Sequence, residues 1–239
     1  MVKLVLWRHG RTAWNAERRF QGHSDVPLDE TGHAQARDAA RYLAAMRPAA
    51  IFSSDLARAA ETAGYLGELT GLPVQLDKDL RERGGGAWEG LTDAEIRAGY
   101  PEAYATFVPP DGEPVSAVAE RAAAAMRRVA EGLRAPGTPG PAGPGADGGP
   151  GGGGRQWAGS LAVLVSHGAA ISLGIARLLG LPERARLLGP LGNCCWSVLG
   201  LRSGHWRLLE HNVGQLPDLA PEPVQVLAAG PEEETSAVG

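Results

Sequence analysis

Hydrophobic positions along the chain alternate between short unbroken apolar runs and longer stretches in which Ala and Leu recur at helical spacing. The first run, Met1 to Trp7, predicts a buried strand that stops at Arg8-His9-Gly10. A helix is predicted from Thr31 to Met46, then a short strand from Ala49 to Ser53. A second helix is expected to open at Asp55 and run to about Thr70, closed by Gly71 and Pro73. Val74 to Leu76 reads as a third strand, and Thr92-Asp93-Ala94-Glu95 as a capping box for a short helix that Gly99 and Pro101 end. Pro114 to Arg134 is the longest helical pattern, and Leu161 to Ser166 (LAVLVS) the strongest strand, leading through His167-Gly168 into a helix to Leu179. Two late runs, Cys194 to Leu201 and Trp206 to Glu210, read as a hairpin across Arg202-Ser203-Gly204-His205.

Strands that are apolar on both faces and alternate with helices predict an α/β fold. Its expected form is a mainly parallel sheet flanked by helices on both faces, with the hairpin as an antiparallel margin. Ligands of such sheets bind beyond the carboxyl ends of the strands, and His9 and His167 each follow a strong strand directly. The nineteen residues from Pro136 to Gly154 include ten Gly and five Pro. Such a composition buries too little surface to offset its ordering entropy. It is expected to be a mobile insertion within one domain spanning 1–216, with 217–239 a flexible tail.

Composition narrows the function. The 239 residues carry a net charge of −4, which argues against a nucleic-acid partner while leaving room for local positive charge. All but two of the 23 basic residues are arginine, so an arginine alone is weak evidence of function. The two cysteines, Cys194 and Cys195, are adjacent and supply neither a disulfide framework nor spaced metal ligands. They are expected to pack as small apolar groups on a strand, in a reducing cytoplasmic compartment. No apolar stretch is long enough to span a bilayer, and the first run is too short for a signal segment, so no membrane association is expected.

Four segments carry candidate chemistry. At Arg8-His9-Gly10 an imidazole sits where a strand ends, and it can act as a nucleophile if its tautomer is fixed and an anion is held before it. Arg58 falls in the first turn of a helix, where a guanidinium can clamp two phosphoryl oxygens. Ser166-His167-Gly168 repeats the strand, histidine, glycine, helix order. Glu82 lies in a glycine-rich loop after the third strand and is a candidate proton donor.

Together with Asn15, Gln21-Gly22-His23 and Trp88-Glu89-Gly90, these segments stand in the order seen in the histidine phosphatase superfamily, the phosphoglycerate mutase-like fold. The chain resembles that family from about residue 3 to 215, apart from the Gly/Pro-rich insertion. Within it, Leu80 to Ile96, Gly192 to Trp196 and Trp206 to Leu208 are similar to actinobacterial glucosyl-3-phosphoglycerate phosphatases. The resemblance implies His9 as nucleophile, with the Gly10 carbonyl holding its other ring nitrogen. It implies Arg8, Arg58 and His167 on the non-bridging oxygens, and Glu82 as the acid that protonates the leaving group and then activates water. Asn15 matches a further phosphate ligand. Gln21, Gly22, His23, Trp88 and Gly168 are placed on the substrate side; Gln21 and His23 read equally well as turn caps, and Trp88 as a core aromatic. No metal or cofactor is implied, the partner is a small phosphorylated metabolite, and a homodimer is compatible with the relatives. Two departures stand out: Arg83-Gly84-Gly85-Gly86 after the acid, and Asp111-Gly112-Glu113-Pro114 where a serine usually caps the long helix. The leading reading is a phosphatase. A mutase lacks its usual Gly-Leu-Asn-Lys type loop here, and a silent phospho-ligand binding module would leave the catalytic positions unused.

Overall fold

The computed structural model describes residues 1–134, 161–182 and 188–214. The expected insertion at 136–154 and the tail from 217 lie outside these residues. Six strands form one sheet: β1 (Val2–Arg8), β2 (Ala50–Ser53), β3 (Val74–Leu76), β4 (Leu161–Ser166), β5 (Trp196–Arg202) and β6 (His205–Val213). Their order is β3-β2-β4-β1-β5-β6. The first four are mutually parallel, whereas β5 runs antiparallel to β1 and to β6. The hairpin therefore extends the sheet beside its central strand, and Ser203 (φ 51°) and Gly204 (φ 83°) make its two-residue turn.

Alternation along β1 builds both halves of the core. Leu4 and Leu6 join β2 and β4 under helices α6 (Val115–Arg134) and α7 (Gly168–Leu179), while Val5 and Trp7 face α2 (Glu30–Ala45) and α3 (Ala57–Thr70). Each fully buried Leu or Ile contributes about 1.5–3 kcal/mol of transfer free energy. The alanine-rich face of α6 lets helices approach closely. A Cβ on Gly174 of α7 would lie 2.7 Å from Met126 Cε and 3.1 Å from Ala122 Cβ, so even an alanine there would require the Met126 side chain to shift.

The predicted elements are present, with shifted ends that have physical causes. The helix expected from Asp55 starts at Ala57, because the Asp55 carboxylate is taken by both Nε and Nη2 of Arg81 at 2.6 Å. The Ala57 N–H is instead capped from outside the helix, by Asp25 Oδ1 at 2.7 Å. Thr92 and Glu95 form the capping box of α4 (Asp93–Gly99). α4 ends at Gly99 as expected, and Pro101 is also the first residue of a further helix that was not expected, α5 (Pro101–Thr106), a position where its missing N–H costs nothing. A short α1 (Ala13–Ala16), capped reciprocally by Thr12 and Asn15, had no clear hydrophobic period to announce it. Cys194 and Cys195 are buried and unpaired as thiols, but they lie in the turn before β5 and not on the strand, Cys194 at φ 56°.

Candidate functional site

β1 and β4 are neighbours in register, Arg8 opposite Ser166, so their two His-Gly segments emerge side by side at the carboxyl edge of the sheet. The His9 N–H donates to Ser166 O at 3.0 Å, and the ring centroids of His9 and His167 are 5.0 Å apart. His9 Nδ1 lies 2.7 Å from Gly10 O. A carbonyl only accepts, so Nδ1 carries the proton and Nε2 keeps a lone pair. Burial, then the Arg58 and Arg8 cations, hold the His9 pKa well below its ordinary 6.5, and the ring is neutral at physiological pH. The Gly10 N–H donates to Thr62 Oγ1 at 3.0 Å, whose hydroxyl donates to Arg58 O at 2.7 Å, tying this turn to α3.

Arg58 is fully buried although it is charged. Its Nε donates to His167 Nδ1 at 3.2 Å, and Nη1 and Nη2 donate to the carbonyls of Ser24 and Gly22, each at 2.8 Å. All three acceptors are neutral, and among the described residues no carboxylate pairs with it. Burial lowers its pKa to about 10, which leaves it cationic. A buried guanidinium of this kind is a standing attraction for an anion. Arg8 reaches the carbonyl of Leu191, and its Nε lies 3.7 Å from the position a Cβ would take on Gly168. Both arginines therefore border the start of α7. His167 itself occupies the cap position of that helix without a side-chain bond to it. Glu82 caps the helix in its place: Oε2 accepts from Ala169 N at 3.2 Å, and Oε1 from Ala170 N at 3.1 Å and Arg83 N at 2.8 Å. Arg8, His9, Arg58, Glu82 and His167 thus share one crevice.

The other expected positions divide. Asn15 Oδ1 is engaged by the Thr12 N–H and by Asn193 Nδ2, beside the His9 carbonyl that Asn193 also binds. Gln21 Oε1 lies 3.1 Å from Thr12 Oγ1, inside the turn. Gly22 contributes its carbonyl to Arg58; at φ 52° and with Glu89 Oε1 only 2.1 Å from where a Cβ would be, no other residue fits there unstrained. His23 is exposed, and its Nε2 lies 2.8 Å from Glu82 O. Trp88 does not line the crevice. It is fully buried between Phe20 and Phe107, with edge contacts at 5.9 and 5.3 Å, and is a core aromatic under the loop.

Several supporting residues escaped the sequence reading. Glu89 receives the backbone N–H groups of His23, Ser24 and Gly85 at 2.9 Å and the Ser24 hydroxyl at 2.7 Å. Burial favours its neutral form, but these donors outweigh burial and lower its pKa. Arg121 on α6 donates to the carbonyls of Asp79, Arg81 and Glu82 and to both oxygens of Glu113, fixing the loop that carries Glu82. Ser54 meets His167 Nε2 at 2.9 Å. The Thr92-x-x-Glu95 pattern shows that capping is readable from spacing, whereas these contacts bridge distant segments and leave no local signal.

Chemically, the cluster brings together a neutral imidazole with a lone pair, two cationic guanidiniums and a carboxyl group, the set of groups that binds and attacks a phosphoryl oxyanion. Among the described residues no group of His, Cys, Asp and Glu is placed to hold a metal ion, and no helix is long and apolar enough to cross a membrane.

Comparison with known proteins agrees with this geometry. The pattern of the histidine phosphatase superfamily (branch 1) matches residues 4–136 and 154–214. A glucosyl-3-phosphoglycerate phosphatase of Mycobacterium tuberculosis (strain CDC 1551 / Oshkosh) is 40% identical over 211 residues, covering 85% of this chain and 86% of that protein. A probable phosphoglycerate mutase of Enterobacter sp. (strain 638) is 33% identical, over 86% of this chain and 88% of its own. A solved mycobacterial glucosyl-3-phosphoglycerate phosphatase in complex with VO3 superposes with a TM-score of 0.73 at 37% identity, covering 90% of this chain and 100% of that one. By its matched pattern, its relatives and its fold, the chain belongs to the histidine phosphatase superfamily.

Proposed function

We propose that this protein is a phosphatase that hydrolyses a small phosphorylated metabolite through a phosphohistidine at His9. The observation that carries the reading is the His9 Nδ1 to Gly10 O bond, which leaves Nε2 as a nucleophilic lone pair beside Arg58, Arg8 and His167. In the first step Nε2 attacks phosphorus as the ester P–O bond breaks. Glu82 gives its proton to the leaving alkoxide. In the second, water attacks the phosphohistidine, Glu82 takes a proton from it, and inorganic phosphate leaves. Phosphoryl transfer through a loose transition state is served mainly by positioning and charge stabilisation, which the two guanidiniums supply. Metal ions have no assigned part in this scheme.

Relatives named glucosyl-3-phosphoglycerate phosphatase make that ester the first to test. The reaction belongs in the cytoplasm, with 1–216 acting as one catalytic domain. The deciding experiment compares kcat/KM over glucosyl-3-phosphoglycerate, 3-phosphoglycerate, a ribazole phosphate and p-nitrophenyl phosphate, with H9A as control. Release of inorganic phosphate by wild type alone supports the reading. Equal, near-zero rates in both would favour a binding module. Interconversion of 2- and 3-phosphoglycerate without phosphate release would establish the mutase reading instead.

A further inference from the structure

The hydrogen bonds around His167 have fixed directions, and together they leave its neutral ring one tautomer. A guanidinium donates and never accepts, so the contact from Arg58 Nε makes His167 Nδ1 the acceptor and puts the ring proton on Nε2. Nε2 lies 2.9 Å from Ser54 Oγ. Ser54 is held in turn by its own N–H, which donates to Val165 O at 2.9 Å on the strand that carries His167. Both side chains are fully buried, so the pairing is shielded from solvent.

We infer that Ser54 is a positioning residue that holds His167 as its Nε2–H tautomer, so that His167 can donate to a bound oxyanion only by taking up a proton at Nδ1. This rests on the anion-site reading above. The groups facing His167 are Arg58 from α3, Arg8 from β1, His9 just after that strand, and Arg121 from α6; burial first and then these neighbours keep the imidazole neutral. A tetrahedral dianion brings the opposite charge. Once Arg58 turns its Nε–H to the anion, Nδ1 is released, binds one proton from solvent and donates it to an anion oxygen. No bond within the anion breaks.

The test has two arms on the full-length protein. Long-range 1H–15N spectra of histidine-labelled protein, with the His167 signals assigned by H167N, read the tautomer directly. Unliganded wild type at neutral pH should show a protonated Nε2 and a bare Nδ1, the tautomer imposed by the Arg58 Nε–H, and in S54A the Nε2–H signal should shift and exchange faster as its acceptor is lost. Calorimetric titration with tungstate in buffers of different ionisation enthalpy should give uptake of about one proton per anion bound in wild type. S54A should bind tungstate about 10-fold more weakly and take up less of a proton, the scale of one hydrogen bond to a charged group. The wild-type arms need no substitution. A proton on Nδ1 in the empty site, tungstate binding without proton uptake, or an S54A protein that matches wild type in both arms would overturn the inference. Wild type that binds no tungstate would overturn the anion-site reading instead, and the spectrum would still decide the tautomer.

Discussion

β1 and β4 are hydrogen-bonded neighbours, and each ends in a histidine followed by a glycine, yet the two histidines are held by different means. His9 has its Nδ1 fixed by the carbonyl of the very next residue, which leaves the other nitrogen open. His167 has both nitrogens engaged by residues 109 and 113 positions away, Arg58 and Ser54. Their glycines differ too. A Cβ on Gly10 would stand 2.6 Å from the Gly32 carbonyl oxygen, where the turn after β1 presses backbone to backbone on the start of α2, whereas a Cβ on Gly168 would meet nothing nearer than Arg8 Nε at 3.7 Å. Equal local sequences thus deliver two imidazoles to one place, and the atoms around each decide which is free to attack and which is locked.

That contrast can be broken most severely at the nucleophile. H9A should lower kcat by about 10⁴-fold or more and abolish any phosphorylated intermediate in rapid-quench experiments, while H167A should still form one, slowly. A phosphoenzyme in H9A would reverse the assignment of the two rings. Next comes Arg58, which touches His167 but not His9: R58K should cost roughly 10²–10³-fold in kcat/KM, since a lysine cannot reproduce the fork that meets His167, Gly22 and Ser24 together. For E82Q the loss should be about 10²-fold for esters with poor leaving groups and much smaller for p-nitrophenyl phosphate, whose leaving group needs no proton. A uniform loss across both substrates would remove Glu82 from the donor role.

Stability should respond to pH through the pair. Both pKa values are lowered on folding from 6.5. As pH falls below that value the unfolded chain binds protons that the folded chain refuses, so unfolding free energy measured in urea should decline with falling pH and be flat in this respect above it. H167A should make the decline shallower than in wild type; an unchanged slope would mean that the ring is not held neutral. The smallest effects separate the glycines: G10A should lose about 1–3 kcal/mol from the backbone clash, and G168A should stay within about 0.5 kcal/mol of wild type. Equal losses would show that the two turns are packed alike.

Much of the site was legible. Arg8, His9, Arg58 and His167 each lie at or next to the end of a strand or the start of a helix, and those ends are marked by abrupt changes of hydrophobic period and by Gly, while Glu82 stands out as a carboxylate in the glycine-rich loop after the third strand. What stayed hidden has no local mark. Glu89 looks like any loop acid until Gly22, His23 and Ser24 are folded against it, and Arg121 is one of several arginines on a solvated helix until the carbonyls of residues 79, 81 and 82 arrive beneath it. Trp88 misled because an aromatic in a glycine-rich loop has the same sequence signature whether it faces a ligand or Phe20 and Phe107.

By itself, the order of residues determined most of the strands and helices, and that the sheet would be covered on both faces. These follow from short-range sterics and from the burial of apolar side chains, which periodicity records. Only the tertiary structure decided which nitrogen of His167 carries its proton, which carbonyls hold Arg58, and which carboxylate caps α7. Those outcomes depend on the direction and length of single hydrogen bonds between segments far apart in the chain, such as Arg58 Nε on His167 Nδ1, 109 residues away.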